Sequence, residues 1–356
     1  MQLFRLFLLP FSFVYCAVST IRNKLFDLGI LKSQSYKLPL ISIGNITVGG
    51  TGKTPVTELL LHTLGDKYKC ATLSRGYGRK TKGVILAGDA DNCNTIGDEP
   101  MQMKLKFPGI TVAVAEKRVE GMVRLLNRDE KPEVILLDDA FQHRYVKPGL
   151  SILVIDYNRP PWKDFCLPAG NLREPISALK RSDIILVNKC PHNLSKEKAE
   201  LIRNKLRPAS HHKLFFSVIQ YEEPLCLGNT NNKLSFRDKL AENGEALVAV
   251  AGIGNPQPFY ESLRQFGVPL RTLSFRDHHN FSQADLKKIE EEGCNKNTRR
   301  PEVITTEKDA VRMISSGFLT ESLKERLWYL PIRIEVLFDQ QDIFEKIITD
   351  YVESHY

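Results

Sequence analysis

An α/β architecture with a parallel core sheet is what this sequence predicts, and three observations predict it. Short apolar runs alternate with polar, helix-compatible stretches along the chain. The first of these runs feeds a glycine-dense turn that ends in Gly52-Lys53-Thr54 before a helix-compatible segment. The chain has 356 residues, beyond the size at which one core usually stops growing, so a smaller second α/β domain is expected.

Residues 1–35 form the first segment. Leu6 to Val18 is an uncharged run of thirteen residues interrupted by Pro10, too short for a membrane span of roughly 20 residues. Phe4, Phe7, Leu8, Phe11 and Val14 recur at helical spacing, with Arg22 and Lys24 behind them. That is the pattern of an amphipathic helix lying in the headgroup layer of an anionic membrane. A buried core helix is one alternative. A signal peptide cleaved near Ala17-Val18-Ser19 is another, but it fits poorly with a phosphate-binding loop soon afterwards. The net charge is +8, and Arg5, Arg22, Lys24, Lys32 and Lys37 against Asp27 put half of that excess in residues 1–40. An anionic membrane surface suits a basic, apolar segment better than nucleic acid does, and no aromatic-basic RNA motif is present. Apolar residues make up 42% of the chain, too many for a largely disordered protein. The seven cysteines (16, 70, 93, 166, 190, 226 and 294) form no CxxC pair and no zinc spacing, so scattered reduced thiols are expected.

The core domain is expected over 36–210. Its candidate strands are Leu38–Ile43, Ala71–Ser74, Thr111–Ala115, Val134–Leu137, Ile152–Ile155 and Ile184–Val187, followed by a charged helix Ser195–Leu206 with Ser195 as N-cap. A second series, over 211–356, reads as Leu214–Ile219, Ala246–Ala251, Val268–Phe275, Val303–Thr305 and Leu330–Val336. Pairing of the last with Leu214–Ile219 would make a two-stranded connection between domains.

The strongest motif runs through Thr47, Val48, Gly49, Gly50, Thr51, Gly52, Lys53 and Thr54, with a helix expected from Val56. Glycines let successive N–H groups turn inward around phosphate oxygens, and the helix N-terminus adds partial positive charge. Lys53 is suited to the β/γ-phosphates of a nucleotide and the Thr54 hydroxyl to Mg²⁺. The strict P-loop pattern needs glycine where Thr47 stands, so this is a variant P-loop NTPase core. Its double glycine resembles the ParA/MinD ATPases, whose extra lysine is here Val48. A carboxylate for Mg²⁺ belongs at the end of another strand, and Asp138-Asp139 closes Val134–Leu137. Alternation along the strand would send one aspartate to the metal and the other to a supporting role. Gln142 and His143 follow nearby. Asp98, in Gly97-Asp98-Glu99-Pro100, is a candidate to receive a proton from an attacking hydroxyl. Arg75, Tyr77 and Arg79 follow the second strand, where arginines suit an anionic phosphate. Asn188-Lys189 resembles a guanine-reading signature, but Pro191 occupies the position of the required aspartate.

Taken in order, these motifs resemble one family, the tetraacyldisaccharide 4′-kinases of lipid A biosynthesis. The resemblance spans nearly the whole chain. Besides the segments above it includes Leu167-Pro168-Ala169-Gly170, Leu172-Arg173-Glu174-Pro175, Ala251-Gly252-Ile253-Gly254-Asn255-Pro256, Phe275-Arg276-Asp277-His278-His279-Asn280-Phe281 and Thr306-Glu307-Lys308-Asp309-Ala310-Val311. That family's loop also lacks the strict first glycine. The resemblance implies transfer of the ATP γ-phosphoryl group to the 4′-hydroxyl of tetraacyldisaccharide 1-phosphate, by a peripheral enzyme on the cytoplasmic face of the inner membrane. It implies that Lys53 and Thr54 hold phosphates and Mg²⁺, that Asp138 and Asp139 serve the metal, and that Asp98 pairs with His278 as the base. Arg118 and Glu174 become supporting polar groups, and together with Arg75, Tyr77, Arg79, Gln142 and His143 they are candidate lipid or phosphate contacts. A membrane-cycling ATPase of the ParA/MinD kind is the alternative, but it gives no reason for Asp98 and His278.

Overall fold

The structure is a computed structural model that describes residues 3–228, 235–243, 247–292 and 300–356. Cys294 and the expected strand residue Ala246 therefore lie outside the described residues, and the six described cysteines are all free thiols.

Fourteen described strands form two sheets. The first comprises β1 (Leu40–Gly44), β2 (Cys70–Ser74), β3 (Ile85–Leu86), β4 (Thr111–Val114), β5 (Val134–Asp138), β6 (Leu150–Asp156), β7 (Ile184–Asn188) and β8 (Lys213–Tyr221). The second holds β9 (Leu225–Cys226), β10 (Leu247–Ala251), β11 (Leu270–Ser274), β12 (Val303–Thr306) and β13 (Leu327–Leu330), after which β14 (Ile332–Val336) returns to the first. The nine-stranded order is β14-β8-β7-β6-β1-β5-β2-β4-β3, and the five-stranded order is β11-β10-β12-β13-β9. Strands β1, β2, β4, β5, β6, β7 and β8 pair in parallel, while β3 and β14 are antiparallel edges. Continuous apolar runs follow from this, because helices cover both faces of such a sheet.

Twelve described helices complete the fold: α1 (Leu9–Asp27), α2 (Lys53–Leu64), α3 (Cys93–Ile96), α4 (Asp98–Lys106), α5 (Arg118–Leu126), α6 (Lys196–Leu206), α7 (Phe236–Asn243), α8 (Gln257–Leu263), α9 (Gln283–Glu291), α10 (Glu307–Ser316), α11 (Glu321–Lys324) and α12 (Gln341–Glu353). The Ser195 hydroxyl caps α6 by accepting from Lys198 N at 3.3 Å.

The sheets do not follow chain order. β8, β14 and α12 all belong to the nine-stranded sheet, with β14 pairing Val336 to Ser217 and Ile332 to Tyr221. Helix α12 packs Phe344, Ile348 and Val352 into the same core as β1 and α2. Its Tyr351 hydroxyl meets both Leu40 N (3.1 Å) and Leu40 O (3.2 Å). Only about 110 residues between β8 and β14 build the smaller sheet. The two sheets meet along a seam where Val311 of α10 packs with Cys93, Ile96, Met101 and Val114.

At the other end, α1 lies on the first sheet's flank. Pro10 sits in its first turn, where a missing N–H costs nothing. One face is tied down: Ser12 accepts from Ala169 N (2.9 Å), Tyr15 donates to Arg173 O (3.1 Å), and Arg22 donates to Gln142 O (3.1 Å). Phe7, Phe11, Val14, Val18 and Ile21 all point outward and are 58–77% exposed, whereas Leu8 is half-buried. No described helix is long and apolar enough to cross a membrane.

Candidate active site

The phosphate loop leaves β1 and turns into α2, with Gly49 (φ 92°) and Gly52 (φ 93°) in conformations that favour glycine. A Cβ on Gly52 would also lie 2.2 Å from the Asn188 side chain, so backbone and space both demand glycine there. Helix α2 starts at Lys53, earlier than the expected Val56, so Lys53 and Thr54 occupy its first turn. This brings both residues to the positive end of the helix, and Pro55 is tolerated there because first-turn N–H groups have no intrahelical partner.

The loop is held from three sides. Val48 N donates to Asn171 O (2.8 Å), Asn45 Nδ2 to Thr51 Oγ1 (3.0 Å), and Gln142 Nε2 to Asn45 O (2.8 Å). Buried Asn188 donates to Thr51 O (3.1 Å), and Arg159 donates to Val48 O (3.4 Å) and Gly50 O (3.2 Å). Lys189 reaches Gly50 O as well, and Asp156 binds both Lys189 (3.0 Å) and Arg159 (3.2 Å). Asn188-Lys189 thus braces the loop. The sequence reading quoted this pair but gave it no role, and Asp156 and Arg159 carried no local signal.

Asp138 ends β5, but Asp139 lies beyond the strand with φ 48°. The turn, rather than strand alternation, therefore sets its direction. Asp139 pairs with Lys53 (3.4 Å) and Arg173 (3.0 Å). Burial works to raise the Asp139 carboxyl, yet the Lys53 and Arg173 charges hold it below the usual carboxylate range. Asp138 goes the other way. Burial raises it to about 6, Lys53 opposes the rise, and the Asp139 and Glu99 charges add to it. A buried carboxylate pressed by two like charges is a place where a cation is favoured. Mg²⁺ characteristically takes one or two carboxylates and completes its shell with phosphate and water. Asp138, Asp139 and the Thr54 hydroxyl fit that donor set, although no three His, Cys, Asp or Glu side chains converge as a cage among the described residues.

Several expected phosphate contacts prove to be engaged elsewhere. Arg79 is tied to Glu116 (2.5 Å) and Gly83 O (2.6 Å), its side chain only 3% exposed. Arg118 is buried against Ala115 O and Asp138 O, and burial lowers its pKa to about 10. It supports the β5 end from behind and does not reach solvent. Burial, then the Arg118 charge, pushes His143 down to about 4, which keeps it neutral. Glu174 is buried and bound to Arg181 (2.5 Å), and its Oε1 has no hydrogen-bond partner among the described residues. Arg75 and Tyr77 remain exposed, and the Tyr77 ring lies 5.6 Å from that of His278.

Asp98 opens α4. His278, itself at φ 56°, places Nδ1 2.9 Å from Asp98 Oδ2. Arg312 donates its Nε to the same oxygen at 2.8 Å. Burial favours a higher pKa for Asp98, but the His278 hydrogen bond and the Arg312 and Lys308 charges hold it at about 2. The sequence reading paired Asp98 with His278 and missed Arg312, which lies 214 residues from Asp98.

A strand–loop–helix phosphate cradle, a paired-aspartate strand end and an ionised carboxylate at the start of α4 define a P-loop protein of the kinase class. Residues 4–353 match the family described as tetraacyldisaccharide-1-P 4′-kinase. The chain is 43% identical over 354 residues to a tetraacyldisaccharide 4′-kinase of Bacteroides thetaiotaomicron, covering 98% of this chain and 93% of that one. It is 44% identical over 355 residues to a tetraacyldisaccharide 4′-kinase of Flavobacterium johnsoniae, covering 100% and 99%. A crystal structure of the "apo" form of LpxK from Aquifex aeolicus in complex with ATP has TM-score 0.76 and 28% identity, covering 98% of this chain and 100% of that one. This chain belongs to the tetraacyldisaccharide-1-P 4′-kinase family.

Proposed function

We propose that this protein transfers the γ-phosphoryl group of ATP to the 4′-hydroxyl of a tetraacyldisaccharide 1-phosphate. The observation that carries the reading is a pair of charge clusters, Lys53 with the Asp138-Asp139 strand end and Asp98 with His278, linked by the charge of Glu99, Asp98's neighbour, acting on Asp138. Phosphoryl transfer asks mainly for positioning and charge neutralisation. The loop N–H groups and Lys53 hold the nucleotide phosphates, with Asn188, Lys189 and Arg159 keeping the loop in shape. Thr54, Asp138 and Asp139 would hold Mg²⁺, which neutralises charge on the phosphate oxygens when bound. Asp98 accepts the acceptor's O–H hydrogen bond. A carboxylate held near 2 is a weak base, so Asp98 orients the hydroxyl and takes its proton only late, as bonding to phosphorus develops. His278 fixes the carboxylate in place. Arg75, exposed just beyond β2, is a cation suited to the acceptor's 1-phosphate.

We read the two sheets as two domains: a core of residues 36–221 with 332–353, and a smaller domain of 222–331, joined through β8 and β14. The outward apolar stripe of α1 rests on the cytoplasmic face of the inner membrane, where the lipid acceptor is found.

The test is incubation of the purified protein with γ-labelled ATP, Mg²⁺ and tetraacyldisaccharide 1-phosphate in detergent micelles. Label should enter the lipid and fall by about 1,000-fold or more in Lys53→Ala. ATP hydrolysis without lipid labelling would sink the reading.

A further inference from the structure

One motif of the sequence has no role in the mechanism above: Thr306-Glu307-Lys308-Asp309, which opens α10. Its side chains reach across the seam onto α4. Glu307 pairs with Lys106 (3.0 Å), Lys308 with Glu99 (2.5 Å), and Arg312, one turn on, with Asp98 (2.8 Å). Two of these pairs join the sheets. The third lands on the carboxylate that faces the acceptor.

Arg312 is built into place independently of Asp98. Its side chain is 2% exposed, and Nη1 donates to Asp309 Oδ1 (2.7 Å) and Gly252 O (2.8 Å). Asp309, fully buried, is fixed in turn by Gly252 N (2.9 Å) and by the Thr306 hydroxyl (2.7 Å). The guanidinium therefore arrives pre-oriented, with its entropy cost already met by the fold. Its Nε and His278 Nδ1 both take Asp98 Oδ2, and the Cys93 thiol lies against the same carboxyl. A carboxylate anchored through one oxygen by two donors from the second sheet presents its other oxygen in one direction.

We propose that Arg312 is a positioning residue for phosphoryl transfer: held by Asp309, it locks Asp98 Oδ2 so that Oδ1 meets the acceptor hydroxyl. This rests on the reading of Asp98 as the group that orients that hydroxyl. Asp98 is faced by His278 from the loop after β11, by Arg312 and Lys308 from α10, by the Cys93 thiol from α3 and by its neighbour Glu99. Among these, Arg312 is the cation whose own position is fixed by a fully buried acid. The strong downward pull on Asp98 agrees with that arrangement.

The experiment compares Arg312→Gln, Arg312→Lys, Asp98→Asn, the Arg312→Gln/Asp98→Asn double variant and Lys308→Gln in the full chain. Lipid phosphorylation gives kcat and KM, and calorimetry gives ATP affinity. Arg312→Gln should lower kcat about 100-fold with KM and ATP affinity within about twofold. The double variant should be no slower than Asp98→Asn by more than about threefold, because both changes remove one function. Lys308→Gln breaks the seam pair to Glu99 and removes a charge near Asp98, but leaves both hydrogen bonds on Asp98 Oδ2 in place, so it should stay within about threefold of wild type. Arg312→Lys keeps the buried charge opposite Asp309, so it answers the question if the Gln variant does not fold. It should fold, bind ATP and still lose kcat, since an ammonium lacks the fork. Full additivity in the double variant, or equal losses in Lys308→Gln and Arg312→Gln, would overturn the proposal in favour of simple sheet docking. Undiminished kcat in Asp98→Asn would instead remove the reading on which it rests.

Discussion

The phosphate loop and the α4–α10 seam are built in opposite ways. The loop's backbone is local, a strand, two glycines in left-handed conformations and a helix start within fifteen residues, Leu40 to Thr54, and its braces Gln142, Arg159, Asn171 and Asn188 also come from the first-sheet region. The seam gathers Cys93, Asp98, Gly252, His278, Asp309 and Arg312 from five separate segments. The loop can form with the first sheet alone. The seam exists only when the second sheet is docked. The geometry of the nucleotide side is thus set by backbone conformation, and that of the acceptor side by a network of charges.

The sharpest way to break this division is at Asp98. Asp98→Asn keeps size and most hydrogen bonding but removes the charge, so turnover should fall about 100- to 1,000-fold. ATP affinity, measured by calorimetry, should remain within about twofold, because nothing in the loop touches Asp98. A matching loss in both quantities would merge the seam with the nucleotide site.

Asp138 offers a subtler contrast on the loop side. Its carboxyl rises from an ordinary 3.8 to about 6 through burial and the Asp139 and Glu99 charges. A raised acid binds more protons in the native state than in the unfolded state between those two values. Stability therefore falls as pH rises through that window and stays lower above it. The shift corresponds to about 3 kcal/mol as an upper bound. Asp138→Asn should accordingly raise the melting temperature of the nucleotide-free protein at pH 7.5, with the gain shrinking toward pH 4, while turnover is lost. An unchanged or lowered melting temperature at pH 7.5 would mean that Lys53 already satisfies Asp138 and that the strand end carries no frustration.

The same contrast explains what was legible in the sequence. Parallel strands, the variant loop and the aspartates at the β5 end could be read because their spacing along the chain is their spacing in space. Asp138 and Asp139 were found, but not the turn that sends Asp139 to Lys53 and Arg173, since a positive φ at a non-glycine leaves no mark on composition. Arg79 and Arg118 read as candidate phosphate contacts because an arginine's sequence neighbours do not reveal a buried partner such as Glu116 or the Asp138 carbonyl. The Asp98–His278 pairing came from family resemblance, and no periodicity would have produced it. Arg312 sat one turn beyond a quoted motif, and only the docking of α10 on α4 gives it a partner. Helix α12, expected with the second domain, crosses back to the first because the chain returns through β14.

The smallest expected effect concerns neither side of the site, and it tests whether α1 is independent of both. The outward stripe of Phe7, Phe11, Val14, Val18 and Ile21 is separate from the face that docks on Ala169 and Arg173. Phe11→Ser with Val18→Ser removes apolar surface on the outer stripe only. Each buried apolar side chain is worth about 1.5 kcal/mol or more, so co-sedimentation with anionic phosphatidylglycerol vesicles should weaken at least about tenfold. ATP affinity and turnover on a micellar acceptor should stay within about twofold. Unchanged vesicle binding would refute the membrane role of the stripe. Loss of ATP affinity would carry a different message, because Tyr15 of α1 holds the backbone of Arg173, whose side chain binds Asp139 beside Lys53. In that case α1 would be part of the phosphate side of the site, and a lipid surface under α1 would bear on nucleotide binding through a single arginine.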